Sequence, residues 1–386
     1  MPDYFEFCIP PRVIYKAGIV SELGNDIAAL GGRRALLVGD AGVERAGLLA
    51  RVQDGIAGGV EVVGCFTDVP ANSSISAVER GVACARACGA DMLIAVGGGS
   101  PIDTAKAMAI LLTEGGDLRE YQGYNLLTRP LLPLVAIPTT AGTGSEVTAW
   151  AVIRDEENRV KIPFASPFLA PRLAVLDPEM TRTLPPLLTA ATGMDALTHA
   201  IESYVGTNAN TITDSLAIQA IDMISNNLRA ATYTGGDMEA RGTMLVASTM
   251  AGMAFSGGGG SLGIVHAMAH SIGGLFPVHH GTANAILLPF GMAYNSQAAP
   301  NRFARIARAM GVNVGGRAEH DVIADGIAAV SALVSECGLP TRLRDVGVER
   351  SALPQIAELS LGDPTIFTNP RPATAEDILA LLEAAW

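Results

Sequence analysis

Residues 91–112 read DMLIAVGGGSPIDTAKAMAILL. The apolar run Asp91–Val96 has the length of a buried strand, Gly97–Ser100 makes a glycine turn, and Pro101–Leu112 carries helical periodicity. Pro101 falls in the first helical turn, where its missing N–H costs nothing. A strand, a glycine turn and a helix N-terminus in that order can form a phosphate site. Glycine lets the backbone close on an anion, and the free N–H groups of the first turn point at it. The run is not GxGxxG, and on its own it fits a tight turn without a ligand as well as a phosphate cradle.

The same alternation continues on both sides of this stretch. Arg12–Lys16, Arg34–Gly39, Val60–Phe66 and Leu134–Pro138 read as strands, and Ile19–Leu30 and Ile75–Cys88 as helices. Short apolar runs alternating with amphipathic helices predict a parallel sheet covered on both faces. Two further extended segments, AWAVIR and RLAVLD, flank a polar turn at 155–159. The chain then reaches Asp177-Pro178 and Leu184-Pro185-Pro186. That proline cluster divides an α/β, Rossmann-like dinucleotide-binding domain (1–184) from a second domain (185–386). In the second domain, Leu187–Val205, Asp214–Ala231, Met238–Phe255, Leu262–Leu275, Ala283–Asn295 and Asp321–Cys337 all carry helical period. No strand is evident there, so the expected architecture is α/β first and all-α second.

Bulk composition narrows the function. The chain has 386 residues, 49% hydrophobic and 17% charged, with a formal net charge of −12. No basic stripe interrupts that charge, which argues against nucleic acid as a partner. The opening MPDYFEFCIPPRV lacks the pattern of a signal peptide, and the apolar runs are too short to span a bilayer. Five scattered cysteines (Cys8, Cys65, Cys84, Cys88, Cys337) suit reduced thiols in a cytoplasm, with Cys84 and Cys88 as core packing. A run of four glycines, Gly257–Gly260, permits either movement or a tight interhelical turn.

Two features carry the chemistry. The first is a second polar glycine turn, Thr139–Glu146, after strand Leu134–Pro138. It lies at a strand's C-terminal end, where open α/β sheets bind ligands. Asp40 closes strand Arg34–Gly39, where an acid suits a ribose diol and disfavours a 2′-phosphate, hence NAD over NADP; a helix cap is the alternative. The second feature is a set of donors in the second domain. Asp195 and His199 are i and i+4 on one helix face, as are His266 and His270, and His280 follows fourteen residues after His266. Three imidazoles and one carboxylate, without thiolates, suit Fe²⁺, Zn²⁺, Mn²⁺ or Co²⁺ with positions left for a substrate oxygen.

Taken in order, GGGSPIDTAKA, IPTTAGTGSEVT, ATGMDALTHAIESY and HAMAH…HHGTANAILLP resemble the iron-containing (group III) alcohol dehydrogenases, over nearly the whole chain to NPRPATAEDI. The resemblance implies the iron-alcohol-dehydrogenase, dehydroquinate-synthase-like architecture. It also implies NAD-linked hydride transfer between small primary alcohols or diols and aldehydes, with the substrate oxygen on a divalent metal. It implies iron as that metal, with zinc or manganese possible for the same donors, and a cytoplasmic homo-oligomer, a dimer or higher. Residue by residue it implies Asp195, His199, His266 and His280 as metal ligands and His270 as the proton relay. For the cofactor it implies Asp40, Asn72, Gly98, Gly99, Ser100, Asp103, Thr139, Thr140, Thr143, Val152 and Lys161. For the substrate pocket it implies Trp150, Phe255 and Leu262. The chain departs from the family pattern at Ser73, where a proline usually follows the asparagine, and at His279, which stands beside His280. The resemblance puts Trp150 on the substrate side, where a bulky indole would narrow the pocket; ordinary core packing is the alternative. Zinc polyol dehydrogenases and dehydroquinate-synthase-like lyases share the fold but use other ligand sets. A metal hydrolase with an incidental glycine turn would bind no NAD.

Overall fold

The structure is a computed structural model that describes residues 5–8, 11–158, 160–257 and 261–386. Arg159 of the expected polar turn and Gly258–Gly260 of the glycine run lie outside the described residues. The chain divides into two compact units, one of residues 9–140 and 144–184, the other of residues 1–8, 141–143 and 185–386. The three residues Ala141–Thr143 of the second glycine turn thus count with the helical unit.

In the first unit the strands are β1 (Arg12–Tyr15), β2 (Arg34–Val38), β3 (Glu61–Phe66), β4 (Met92–Gly97), β5 (Gly123–Tyr124), β6 (Leu134–Pro138), β7 (Trp150–Asp155), β8 (Val160–Ala165) and β9 (Leu173–Leu176). Six of them form one parallel sheet in the order β1-β9-β6-β4-β2-β3. Its helices are α1 (Gly24–Ala28), α2 (Ala41–Arg45), α3 (Leu48–Gly55), α4 (Ile75–Cys88) and α5 (Gly99–Thr113). Every residue of β4 is buried, because both faces of the sheet are covered. Leu36, Val38, Leu93 and Ala95 pack with α4 and α5 on one face. Ala35, Leu37, Ile94 and Val96 pack with Val20, Ile27, Leu49 and Val52 on the other. The alternation is the period-two pattern of a strand buried on both sides.

The connections place the ligand crevice. From β2 the chain moves outward to β3, returns to β4 on the other side of β2, and proceeds to β6. The order β3-β2-β4-β6-β9 is therefore the 2-1-3-4-5 doubly wound type rather than the dinucleotide order 3-2-1-4-5-6, and its switch point lies between β2 and β4. Asp40 follows β2 and Gly98 follows β4, so both stand at the carboxyl ends that flank this point.

Two expectations about local structure are corrected. Ile19–Leu30 is not one helix but a 3₁₀ turn (Ile19–Glu22) followed by the short α1. Asp177 accepts from Gly18 N–H (2.9 Å) and Val20 N–H (3.1 Å), which pins the start of the segment outside α geometry. The stretch after Thr148 is a hairpin, with β7 antiparallel to β8 and β5 beside it, whereas β9 joins the large sheet.

In the second unit the helices are α6 (Pro186–Val205), α7 (Thr211–Tyr233), α8 (Met238–Gly257), α9 (Ile264–Leu275), α10 (His280–Asn295), α11 (Pro300–Ala309), α12 (Glu319–Glu336), α13 (Leu353–Leu361) and α14 (Ala375–Ala385). No strand occurs in it among the described residues. Helix α6 is central: residues Thr189–Val205 are all buried, packed by Ala190, Met194, Leu197, Ile201 and Tyr204 into one apolar core with α7, α8 and α10. A helix apolar all round belongs inside a bundle. Its Asp195, His199 and Glu202 are therefore polar groups deep in that core, which need partners.

Candidate active site

Three helices of the second unit bring the donors together. Helix α6 supplies Asp195 and His199, α9 supplies His266 and His270, and α10 supplies His280. Helix α10 reaches α6 because Gly281 follows His280. A Cβ at Gly281 would lie 2.2 Å from the Ala191 carbonyl oxygen, so a larger residue would force the two helices apart.

One ligand atom each from Asp195, His199 and His266 all lie within 4.8 Å of one another. His280 joins them, its Nε2 3.5 Å from Asp195 Oδ1, while His266 Nε2 is 3.9 Å from the same oxygen. His279 is the exposed N-cap residue of α10, so of the adjacent pair it is His280 that faces Asp195. The His199 and His266 rings stack with centroids 4.6 Å apart. Phe255 stacks on the other neighbour position of His199 at 4.7 Å. His270 is stacked on His280 at 5.2 Å, and its Nδ1 lies 2.8 Å from Asp363 Oδ2.

Electrostatics separate these rings. Burial, opposed by Asp195, lowers the pKa of His199 to about 4, so its ring is neutral at pH 7. Burial also works to lower that of His266, but the Glu202 carboxylate at 2.6 Å outweighs it and the net direction is upward. The negative charge that favours a proton on His266 favours a divalent cation equally. Burial pushes the Asp363 carboxyl up, but His270 and Thr365 outweigh it and hold the pKa down, to about 2.

The polar atoms here fit a cation. Asn284 Oδ1 is buried and has no hydrogen-bond partner among the described residues, whereas His199 is held by the Gly142 backbone. Asn284 Nδ2 lies 2.7 Å from Asp195 Oδ1 and 3.2 Å from both His266 Nε2 and His280 Nε2. Its two hydrogens cannot serve three acceptors. A divalent ion that takes lone pairs of Asp195, His266 Nε2 and His280 Nε2 removes this excess of acceptors. Three residues here escaped the reading of the sequence: Glu202, Asn284 and Asp363. Two carried a signal, Asn284 four residues after His280 and Glu202 three after His199, each on its ligand's helix face.

The first unit gathers the cofactor candidates. Gly97 has φ +155°, and a Cβ there would lie 2.4 Å from Pro101 Cγ, so the turn requires glycine. Gly98 caps α5 without a side chain, which leaves the first-turn N–H groups to a ligand. Asn72 adopts φ +62° and donates its N–H to Ser100 Oγ at 3.2 Å; Ser73 Oγ bonds Thr104 Oγ1. Thr139 N–H donates to Gly97 O at 3.0 Å, and Thr140 packs on Gly98. Asp103 is half-buried, accepts from Val152 N–H at 3.0 Å and lies in the field of Lys106 and Lys161; desolvation pushes its pKa up. Asp40 Oδ1 caps α2, accepting from Gly42 and Val43 N–H. Trp150 lies edge-on to Tyr124 at 5.2 Å. In the helical unit, Thr143 belongs to the 141–143 segment, and half-buried Leu262 accepts from Thr368 Oγ1 at 2.6 Å.

A nucleotide-type switch point and a buried carboxylate–imidazole cluster define a metal-dependent dehydrogenase class, and comparison with known proteins bears on it directly. Residues 10–178 match the family model for iron-containing alcohol dehydrogenase, and residues 189–386 match that for the C-terminal part of the Fe-containing alcohol dehydrogenase family. The chain is 41% identical over 391 residues to 1,3-propanediol dehydrogenase of Klebsiella pneumoniae, covering 99% of each. It is 41% identical over 371 residues to lactaldehyde reductase of Escherichia coli K12, covering 96% of each. The crystal structure of a 1,3-propanediol oxidoreductase superposes with a TM-score of 0.96 at 41% identity, covering 99% of this chain and 100% of that one. This chain belongs to the iron-containing alcohol dehydrogenase family, and it is an oxidoreductase.

Proposed function

We propose that the chain interconverts small primary alcohols or diols and their aldehydes with NAD(H), at a divalent metal held by Asp195, His199, His266 and His280. The observation that carries this reading is the buried donor set itself, with ligand atoms of Asp195, His199 and His266 within 4.8 Å. Bound there, iron or a similar cation supplies a Lewis acid that polarises a carbonyl oxygen or acidifies an alcohol, and NAD(H) supplies the hydride acceptor or donor.

The chain's own residues do the rest. Gly98, Gly99 and Ser100 offer first-turn N–H groups to a pyrophosphate, and Asn72 fixes the Ser100 hydroxyl by donating to it. Thr139, Thr140 and Thr143 supply polar contacts to the cofactor, and Asp40 receives a ribose hydroxyl. Asp103, Val152 and Lys161 form the interior support of that cofactor region. His270, with Nδ1 against Asp363, keeps Nε2 for moving a proton to or from a substrate oxygen. Phe255, Leu262 and Trp150 limit substrate size. No helix among the described residues is long and apolar enough to cross a membrane. None of the five cysteines is in a disulfide.

The test is an NADH-linked screen of two- to six-carbon aldehydes under anaerobic conditions, with and without Fe²⁺. Turnover of short aldehydes that requires added metal is the expected result. Metal-independent turnover, or none with any aldehyde, contradicts the proposal.

A further inference from the structure

We infer that Glu202 is the positioning residue of the metal site: it fixes which nitrogen of His266 faces the cation and supplies the second negative charge that balances it. The inference rests on the metal reading above. Glu202 lies on α6, three residues after His199, and is only 3% exposed. An ionised carboxylate at that depth is costly unless every oxygen has donors. Glu202 has four. Oε1 accepts from Val265 N–H at 2.7 Å; Oε2 accepts from Gly263 N–H at 3.0 Å, from His266 N–H at 3.4 Å and from His266 Nδ1–H at 2.6 Å.

The last contact sets the chemistry. A carboxylate only accepts, so His266 must carry its proton on Nδ1 and present the Nε2 lone pair. Nε2 is the atom beside Asp195 Oδ1 and Asn284 Nδ2. Carboxylate–histidine pairing of this kind orients a metal-bound imidazole and raises its basicity. With Asp195, Glu202 also brings two negative charges to a site for a doubly charged ion. Capping of α9 is a competing explanation, since the N–H groups of its first turn attract an anion. Asn369 serves the same helix end, accepting from Ile264 N–H at 3.1 Å, without touching the His266 ring. Capping is shared between the two residues, whereas the Nδ1 contact belongs to Glu202.

Glu202→Gln breaks this arrangement in either amide orientation. If the amide nitrogen faces Nδ1, the ring proton moves to Nε2 and blocks ligation; if the oxygen faces it, the amide hydrogens oppose the backbone N–H groups. The experiment uses the full chain, stripped of metal, and measures Zn²⁺ affinity by competition with a chromogenic chelator, without turnover. The wild type should bind one Zn²⁺ per chain, and Glu202→Gln should bind about 10- to 100-fold more weakly. Asn369→Ala should match the wild type in affinity even where it melts earlier. Equal affinity in wild type and Glu202→Gln overturns the inference alone. Equal weakening by Asn369→Ala also overturns it, because the effect would then pass through the helix end. Failure of the wild type to bind Zn²⁺ overturns the metal reading and this inference together. Should Glu202→Gln not fold, Glu202→Asp keeps the charge but withdraws it from Nδ1, and the same loss or its absence decides.

Discussion

The candidate cofactor turn and the donor cluster are built from different material. In the α/β unit the ligand turn is mostly main chain: Gly97 at φ +155°, Gly98 as a cap without a side chain, and Thr139 N–H closing on Gly97 O. In the helical unit the site is side chain throughout: Glu202 on α6 holds His266, Asn284 on α10 contacts Asp195, His266 and His280, and Asp363, far off in sequence, holds His270. A main-chain site tolerates many side chains but few changes of backbone geometry. A side-chain site fails when one donor goes, and the contacts its partners make can lie far apart in sequence.

The largest effect should separate the halves cleanly. Asp195→Ala or His266→Ala should remove bound metal and lower turnover by about 10³-fold or more, the worth of several kcal/mol of Lewis-acid stabilisation. NADH binding, read by fluorescence, should persist; its loss would mean that the two halves are not separable. His270→Ala should lower turnover by about 10²- to 10⁴-fold, the range for a lost general acid–base group, while metal content measured by mass spectrometry survives. Loss of metal on that change would make His270 a ligand. Asp363→Asn should act through His270 in the same direction by a smaller factor, about tenfold.

Backbone changes sharpen the contrast. Gly281→Ala places a Cβ 2.2 Å from Ala191 O and should cost roughly 1–3 kcal/mol of stability together with metal affinity. Gly97→Ala should cost a similar amount but raise the KM for NADH and leave metal affinity alone. Thermal melts and metal titrations of the pair would show whether each glycine serves only its own half.

The smallest effect concerns Lys106, wholly buried on α5, its Nζ donating to Thr148 O (2.8 Å), Thr148 Oγ1 (3.1 Å) and Trp150 O (2.6 Å). Burial pulls its pKa down from 10.5 to about 8. Between those values the unfolded chain binds more protons than the folded one, so this group's contribution to stability rises with pH across that window. The melting temperature of the wild type should therefore change more favourably from pH 8 to pH 10 than that of Lys106→Met. Parallel profiles would show that the ammonium is not desolvated as the structure indicates.

Much of this was legible because it is local. Strand β4, the glycine turn and α5 are contiguous, and Asp195 and His199 share a face by the arithmetic of the helix. What escaped was non-local. Glu202 meets His266 across 64 residues and Asp363 meets His270 across 93, so no motif window contains either pair. The break in Ile19–Leu30 depends on Asp177, 157 residues from Val20. The strand β8 went unread because its neighbours in sequence do not show which sheet takes it. Helices α11, α13 and α14 likewise lay outside the expected set, the first with a polar sequence around Arg302, Arg305 and Arg308. Between His279 and His280 the sequence offers two identical side chains; the start of α10 distinguishes them, one as an exposed cap and the other as a residue of the first turn.

One titration decides whether hydride transfer requires a metal held by these donors. The chain is stripped with a chelator, and Fe²⁺ is added back anaerobically while NADH oxidation by a short aldehyde is followed. Activity should be absent at the start, rise linearly and level off at one Fe²⁺ per chain, and Asp195→Ala should stay flat throughout. Full activity before any metal is added, or an equal rise in Asp195→Ala, would contradict the account.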